Sequence, residues 1–519
     1  MIFPLFTLFF VPGIWAFWKV PADYPCAGRQ ASHGLVCVCN STYCDKIERV
    51  GRRIPSGQVL IYRSDLAGDR MTKYVTTFIG DDDDEEEYDT VIHVDPSETY
   101  QKIIGYGGSF SDSTGANLLF VKERLQRKVL EAYFGPDGLE YSVGRVPIGS
   151  TDFSTHLYSY DDQEGDYDLE HFELAPEDVE YKIRFIKRAL KLQPSLKLFG
   201  SAWSPPAWMK TNGKMYHGGS LIDSPLVHQT YADYLAKFFE EYARFGVHFW
   251  GITVQNEPRT SGADTWKWQG LRMTPEMERD FLRDYLGPTL RQKRVTRKLK
   301  VMVLDDVRTD LEKTVDTIFN DPDASEFADG VAVHWYDDIE TPIKVFDTTH
   351  QNHPDKFLLA TEACLGFENS TGPELGNWAR AEVLALSNIE YLNHWVGGWV
   401  DWNMVLDEEG GPNWVNNWVD AGIIMNRNGD EFYKQPIFYS MGHFSKFIPA
   451  DSHVIHHSYQ GTNGESIACV KTPKQRRVCV ILNQKDIEII TKIVDKETGK
   501  NFVVPIAPRS LQTILWEKK

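Results

Sequence analysis

Between about residue 100 and residue 405, short apolar runs alternate with stretches in which apolar positions recur every three to four residues. The runs at 103–107, 141–147, 196–201, 249–255, 300–304, 330–335, 357–361 and 396–402 have the length of strands. Seven intervening segments, among them 176–192, 228–245 and 275–290, carry the helical period. Eight strands alternating with helices predict a (β/α)8 TIM barrel, an α/β fold. A doubly wound sheet is the competing arrangement, but no glycine-rich dinucleotide loop follows an early strand.

Outside this region the pattern changes. Residues 50–98 and 452–519 are rich in Val, Ile and Thr with turn residues between them, and 466–470 and 477–482 read as a hairpin. Both chain ends are therefore expected to build one β-sheet domain (50–98 plus 452–519) packed on a barrel spanning 99–451. Seven consecutive acidic residues, Asp81 to Glu87, read as a solvated loop.

No charged side chain precedes Lys19, but Pro4, Pro12 and Gly13 break the apolar run, and Ala16 and Ala22 offer cleavage points. Residues 1–22 read as a secretory signal peptide cut near 16–22, although a basic first segment is lacking; a retained anchor is the competing reading. No later segment is long and apolar enough to span a membrane, so the mature chain is expected to have no transmembrane segment.

Composition narrows the picture. The 519 residues are 42% hydrophobic and 25% charged, which excludes a disordered, collagen-like or coiled-coil chain. Asp and Glu (74) outnumber Lys and Arg (55), and the net charge of −19 argues against a nucleic-acid partner. The 15 Trp suggest a large core, stacking surfaces for sugar rings, or both. Cys26, Cys37, Cys39 and Cys44 crowd the start of the mature chain. Of three pairings, Cys26–Cys37 with Cys39–Cys44 closes two short loops that do not cross. Cys364 is expected to be a buried free thiol, and the pattern leaves open whether Cys469 and Cys479 are bridged. Asn40 and Asn369 head glycosylation sequons.

Catalytic groups of a barrel enzyme sit where strands end at the C-terminal face. The fourth run ends in Asn256-Glu257-Pro258 and the seventh in Glu362-Ala363-Cys364. Strands four and seven face each other, so two carboxylates would flank one cavity, as glycoside hydrolysis requires. One such Glu alone is most simply a strand cap; a pair at mouth positions is harder to dismiss. Arg145, His334-Trp335-Tyr336, Asp401-Trp402-Asn403 and Ser201-Ala202-Trp203 end other strands and supply a cation, hydrogen-bonding groups and indole faces suited to a sugar. Neither a His-Glu-x-x-His zinc motif nor a Gly-x-Ser-x-Gly elbow is present, and no metal is expected.

These residues resemble the lysosomal acid β-glucosidases (glucosylceramidases) of glycoside hydrolase family 30. Gly105-Tyr106-Gly107-Gly108, Arg145-Val146-Pro147, Lys210-Thr211-Asn212-Gly213, Gly411-Pro412-Asn413-Trp414 and the run from Gly442 to Pro449 carry the likeness further, over essentially the whole mature chain. The resemblance implies a retaining β-glucosidase acting on glucosylceramide in sphingolipid catabolism, with Glu362 as nucleophile and Glu257 as acid/base. Asn256 would hold the 2-hydroxyl; Asp152, Trp203, Trp402 and Asn417 would line the glucose pocket; Arg145, His334 and Tyr336 would orient the nucleophile. It also implies a β-sandwich for the β-domain, a small disulfide-bearing N-terminal sheet at residues 23–49 with the two early disulfides, glycosylation at Asn40, no cofactor, and work in acid at a membrane surface with a saposin-type activator and anionic phospholipid. Delivery to the lysosome through the secretory pathway, or secretion, follows from the same likeness. The acidic run, the loop 259–270 and the segment 161–168 depart from the family pattern.

Overall fold

The computed structural model describes residues 17–79, 87–461 and 466–518. The leader up to residue 16 and the acidic run apart from Glu87 lie outside the described residues. At the centre is a closed barrel of eight parallel strands: β1 (Gly105–Ser109), β2 (Val143–Ile148), β3 (Lys197–Ala202), β4 (Gly251–Thr253), β5 (Lys300–Val307), β6 (Gly330–His334), β7 (Phe357–Glu362) and β8 (Val396–Asn403). Strand β8 returns to pair with β1. These strands are buried on both faces, which is why they read as nearly continuous apolar runs. One close approach fixes a glycine: a Cβ on Gly107 would lie 1.7 Å from the Val143 carbonyl oxygen on β2.

Inside the barrel, Val143, Phe199, Met302, Ala332, Leu359 and Val400 form an apolar layer. Side chains on one face of a strand recur every second residue. Two positions further along, Arg145, Ser201, His334, Thr361 and Trp402 therefore occupy the next layer toward the C-terminal mouth. Strand β5 reaches that layer differently. Its register with β6 shifts between Leu304 and Asp306, and both Leu304 (φ 74°) and Asp305 (φ 47°) adopt left-handed backbone. The bulge inserts one residue and turns Asp305 inward.

The expected run 249–255 shortens to Gly251–Thr253, because the chain leaves the sheet to place Asn256 and Glu257. The expected helix at 176–192 divides into a π-helical turn, Asp178–Ile183, and an α-helix, Arg184–Leu192.

Both chain ends do build one sheet. Its ten strands run in the order Trp18–Lys19, Thr72–Thr77, Gln58–Asp65, Ser510–Glu517, Arg476–Asn483, Ser466–Lys471, His453–Gly461, Thr90–Lys102, Ile489–Asp495 and Asn501–Ile506. An Ile79↔Asn501 bridge joins its two edges, curling it around a separate apolar cluster that includes Val59, Ile92, Ile481 and Phe502. The hairpin at 466–483 forms, and Cys469 is bridged to Cys479 across it.

The small disulfide-bearing sheet contains Gly28–Gln30 and Leu35–Asn40, with Cys26–Cys37 and Cys39–Cys44 paired as expected. Three further strands, Glu431–Lys434, Ile423–Asn426 and Val405–Asp407, complete it from the segment after β8. Asn369 is exposed and Asn40 half-buried. No helix among the described residues is long and apolar enough to cross a membrane.

Candidate active site

The two glutamates reach one cavity from opposite sides of the barrel. Glu362 is the last residue of β7. Glu257 lies four residues past β4, at φ 45°, a conformation that costs a non-glycine residue about 1–3 kcal/mol and persists only where the surroundings enforce it. Here the Glu257 N–H donates to Asp305 O (2.8 Å) and the Glu257 carbonyl accepts from Ser261 N (2.8 Å). An oxygen of each carboxylate and a ring nitrogen of His334 all lie within 4.8 Å of one another.

Beneath the pair is a closed set of charges. Arg145, fully buried, donates through Nη1 to Glu362 Oε2 and through Nη2 to Asn256 Oδ1 (2.7 Å), Asp305 Oδ2 (2.7 Å) and Ser201 Oγ (3.1 Å). His334 faces Glu257 Oε1 with Nδ1 (3.2 Å) and Asp305 Oδ1 with Nε2 (3.0 Å). Burial would depress its pKa, but the negative charges of Glu362 and Asp305 outweigh that and raise it to about 10. Both ring nitrogens are thus donors. Tyr336 OH donates to Glu362 Oε1 (2.8 Å) and lies 3.3 Å from Cys364 Sγ.

Burial raises the pKa of Glu257, with Asp306 adding to the effect and His334 and Arg145 opposing it. Burial also raises Glu362, where Arg145 and His334 pull the other way and Glu257 adds like-charge repulsion. Desolvation rather than repulsion is thus the larger cause for both. Charge balance decides which keeps the proton. Arg145 and His334 supply two positive charges; Asp305 and one glutamate supply two negative ones. The guanidinium sits on Glu362, which favours the negative charge there and the proton on Glu257.

The cavity has a volume of about 200 Å³. Asp152, Glu257, Glu362 and Asn417 line its polar side, with Asn417 Nδ2 donating to Asp152 Oδ2 (2.8 Å). Burial pushes Asp152 up to about 8, so it is a neutral acid below that pH. Trp203 and Trp402 stack 5.0 Å apart against the cavity, and the Arg145 guanidinium lies 4.8 Å from the Trp203 ring. Trp266, Trp268, Phe367 and Val419 form an apolar wall. Asn256 is buried behind the lining, its Nδ2 without a hydrogen-bond partner.

All ten expected site residues therefore converge, with changes of detail. His334 hydrogen-bonds Glu257, not the expected nucleophile Glu362, and acts on Glu362 through charge. Asp401 accepts from the Trp399 indole (2.9 Å) and Asn403 accepts from Ser111 Oγ, so neither faces the cavity. Cys364 is half-buried at the cavity rather than buried. Asp305 was not anticipated, although Asp305-Asp306 ends the fifth apolar run as visibly as Asn256-Glu257 ends the fourth.

Among the described residues two clusters approach a metal-ligand set. Glu257, His334 and Glu362 are one. Cys39, Cys44 and Asp45 are the other, and both cysteines are in a disulfide.

Residues 103–448 match the model of the glycosyl hydrolase family 30 TIM-barrel domain. A Caenorhabditis elegans protein named "Putative glucosylceramidase 3" is 48% identical over 486 residues, 93% of each chain. The mouse protein named lysosomal acid glucosylceramidase is 38% identical over 506 residues, 95% of this chain and 96% of its own. Among solved structures, SrfJ from Salmonella typhimurium superposes with a TM-score of 0.82 at 27% identity, covering 89% of this chain and 100% of that one.

Proposed function

The chain belongs to glycosyl hydrolase family 30, and on that premise we propose that it is a retaining β-glucosidase that cleaves glucosylceramide to glucose and ceramide in sphingolipid catabolism. The observation that carries the proposal is the carboxylate separation, with oxygens of Glu257 and Glu362 within 4.8 Å. Retaining glycosidases hold their two carboxyl groups about 5–5.5 Å apart, whereas inverting ones leave about 6.5–9.5 Å for a water.

Protonated Glu257 donates to the glycosidic oxygen while a Glu362 oxygen attacks the anomeric carbon, and ceramide departs as the alcohol. Water then attacks the glucosyl–Glu362 ester, giving its proton to Glu257, and both carboxyl groups return to their starting states. Arg145 and Tyr336 hold the Glu362 oxygens and withdraw charge from them as the ester breaks. The free Asn256 Nδ2 suits the sugar's 2-hydroxyl. Asp152 and Asn417 take further hydroxyls, and the Trp203 and Trp402 rings meet the C–H faces.

The relatives' names support glucosylceramide over other β-linked sugars. Ile222 and Ile339 are exposed on loops that follow β3 and β6, and Leu226 in the first turn of the helix Pro225–Arg244 after β3; they lie on the face on which the cavity opens and suit contact with a lipid surface. A saposin-type activator and anionic phospholipid would act at this face. Three disulfides suit an oxidising compartment, supporting passage through the secretory pathway to the lysosome, or secretion.

The test is a cyclophellitol-type β-glucoside trap applied in acid, followed by peptide mass mapping and glucosylceramide turnover. A label on Glu362 is expected, with Glu362→Gln inactive and Glu257→Gln retaining activity only on substrates whose leaving group needs no proton. A label elsewhere, or full turnover by Glu362→Gln, would overturn the assignment.

A further inference from the structure

Asp152 lies within a short loop, residues 149–158, that follows β2 and closes on itself. Ser150 Oγ donates to Tyr158 O (2.7 Å) and accepts from Tyr158 N (3.0 Å). Beneath this loop is Lys182, with no exposed side-chain surface, on the π-helical turn Asp178–Ile183. Its Nζ donates to Pro147 O (3.3 Å) and Gly149 O (3.4 Å) where the loop begins, and to Tyr158 OH (3.2 Å) where it ends.

Two carboxylates hold the ammonium in place, Asp178 Oδ1 at 3.2 Å and Asp112 Oδ1 at 3.4 Å. Asp112 then reaches back to the loop, accepting from Ser154 Oγ and from Tyr158 OH (2.8 Å). Residues on both sides of Asp152 are thus tied to one buried ion cluster. The Phe153 carbonyl is held as well, by Ser113 N (3.0 Å) and Oγ (2.7 Å).

Burying a lysine is unfavourable unless its charge is matched, and a well-packed apolar residue commonly serves stability as well. Here the ammonium reaches, besides its carboxylates, the Pro147 carbonyl at the end of β2 and Gly149 O and Tyr158 OH of the loop that carries Asp152. Burial would depress the Lys182 pKa, but Asp112 and Asp178 more than restore it, so the donors stay charged.

We propose that Lys182, acting through Asp112 and Ser154, is a positioning residue for Asp152, and that the cluster sets affinity for the sugar ring rather than the rate of bond cleavage. The proposal rests on the glucosidase reading above. It separates two sets of buried ions: the Arg145 set serves the glutamates, and the Lys182 set serves the group that holds the sugar.

The test compares wild type with Lys182→Met, Ser154→Ala, Asp152→Asn and each of the first two combined with Asp152→Asn. KM and kcat are measured on an aryl β-glucoside, and binding of a glucose-shaped iminosugar is measured by calorimetry. Lys182→Met and Ser154→Ala are expected to raise KM and weaken iminosugar binding by about tenfold, with kcat changed less than about threefold. On top of Asp152→Asn, neither is expected to add more than about twofold. Ser154→Ala leaves the ion cluster intact, so it reports even if Lys182→Met does not fold. Unchanged KM and binding in Ser154→Ala, or a full effect added to Asp152→Asn, would overturn the proposal. A wild type that binds the iminosugar but leaves the glucoside uncleaved would instead fail the glucosidase reading, and the binding arm would still decide the role of Lys182.

Discussion

Asp305 accepts hydrogen bonds from side chains on four different strands: Arg145, Ser201, His334 and Thr361. Burial alone would raise its pKa, yet Arg145 and His334 hold it well below the ordinary carboxylate range. It is the counter-ion shared by both cations beneath the glutamates. Asp305→Asn is expected to lower kcat/KM by about 10–100-fold in folded protein, measured with an aryl glucoside. His334 gives a sharper test. Its hydrogen bond and charge are the main effects opposing burial at Glu257, so removing them lets the acid hold its proton to higher pH. His334→Gln should therefore move the alkaline limb of the kcat/KM profile upward while lowering the rate; a downward shift would contradict the assignment. The glutamates, Arg145 and His334 were legible because a polar residue ending an apolar strand is a strong signal. Asp305-Asp306 ends the fifth run just as visibly, but the bulge that turns Asp305 inward leaves no trace in apolar periodicity, so which of the two faces the site could not be read.

At the scale of elements, the turn at 413–417 ties Trp414 and Asn417 to the loop that carries Asp152. Asn413 Oδ1 accepts from Val415 N (2.8 Å) and Asn417 N (3.1 Å), and its Nδ2 donates to Asn417 O (3.0 Å). The next residue, Trp414, donates from Nε1 to Thr151 O (2.9 Å), beside Asp152. Asn413→Ala should open this turn, release Asn417 from Asp152 and raise KM about tenfold. Steady-state kinetics and calorimetry together check this, since the melting temperature should move by only a few degrees. The barrel strands and long helices were legible because each spans several periods of its pattern. Strands such as Val405–Asp407 and Ile423–Asn426 are three and four residues long, too short for alternation to appear. The π-helical turns at Asp178–Ile183 and Leu282–Leu286 depart from the 3.6-residue period only locally, so the sequence shows unbroken helices there.

For the whole molecule, buried acids set how stability follows pH. Asp152 (about 8) and Asp401 (about 7) are raised by burial from an ordinary 3.8, and Glu257 is raised likewise. Between those limits the folded chain binds more protons than the unfolded chain, so stability falls as pH rises. His334, raised from 6.5 to about 10, stabilises fully below 6.5 and loses that contribution up to about 10, in the same direction. His443, kept neutral between Ser64 and Thr513 with its pKa lowered to about 3, opposes them below 6.5. The melting temperature should accordingly be higher near pH 5 than near pH 8; the reverse order in calorimetry would contradict this balance. The sharing of the large sheet between both chain ends has a further consequence, in the order of biosynthesis. Gln58–Asp65 pairs with Ser510–Glu517, and Ile54 N donates to Glu517 Oε1, 463 positions later. At roughly 5–20 residues per second, the first strands wait about half a minute or more for partners not yet translated. Throughout that interval Gln58–Asp65 has Thr72–Thr77 as its mate on one side, while the side that meets Ser510–Glu517 stays unpaired. The opening strands therefore keep one edge uncovered until the last strand is made, and a premature stop near the end of the message strands the beginning of the protein as surely as its end.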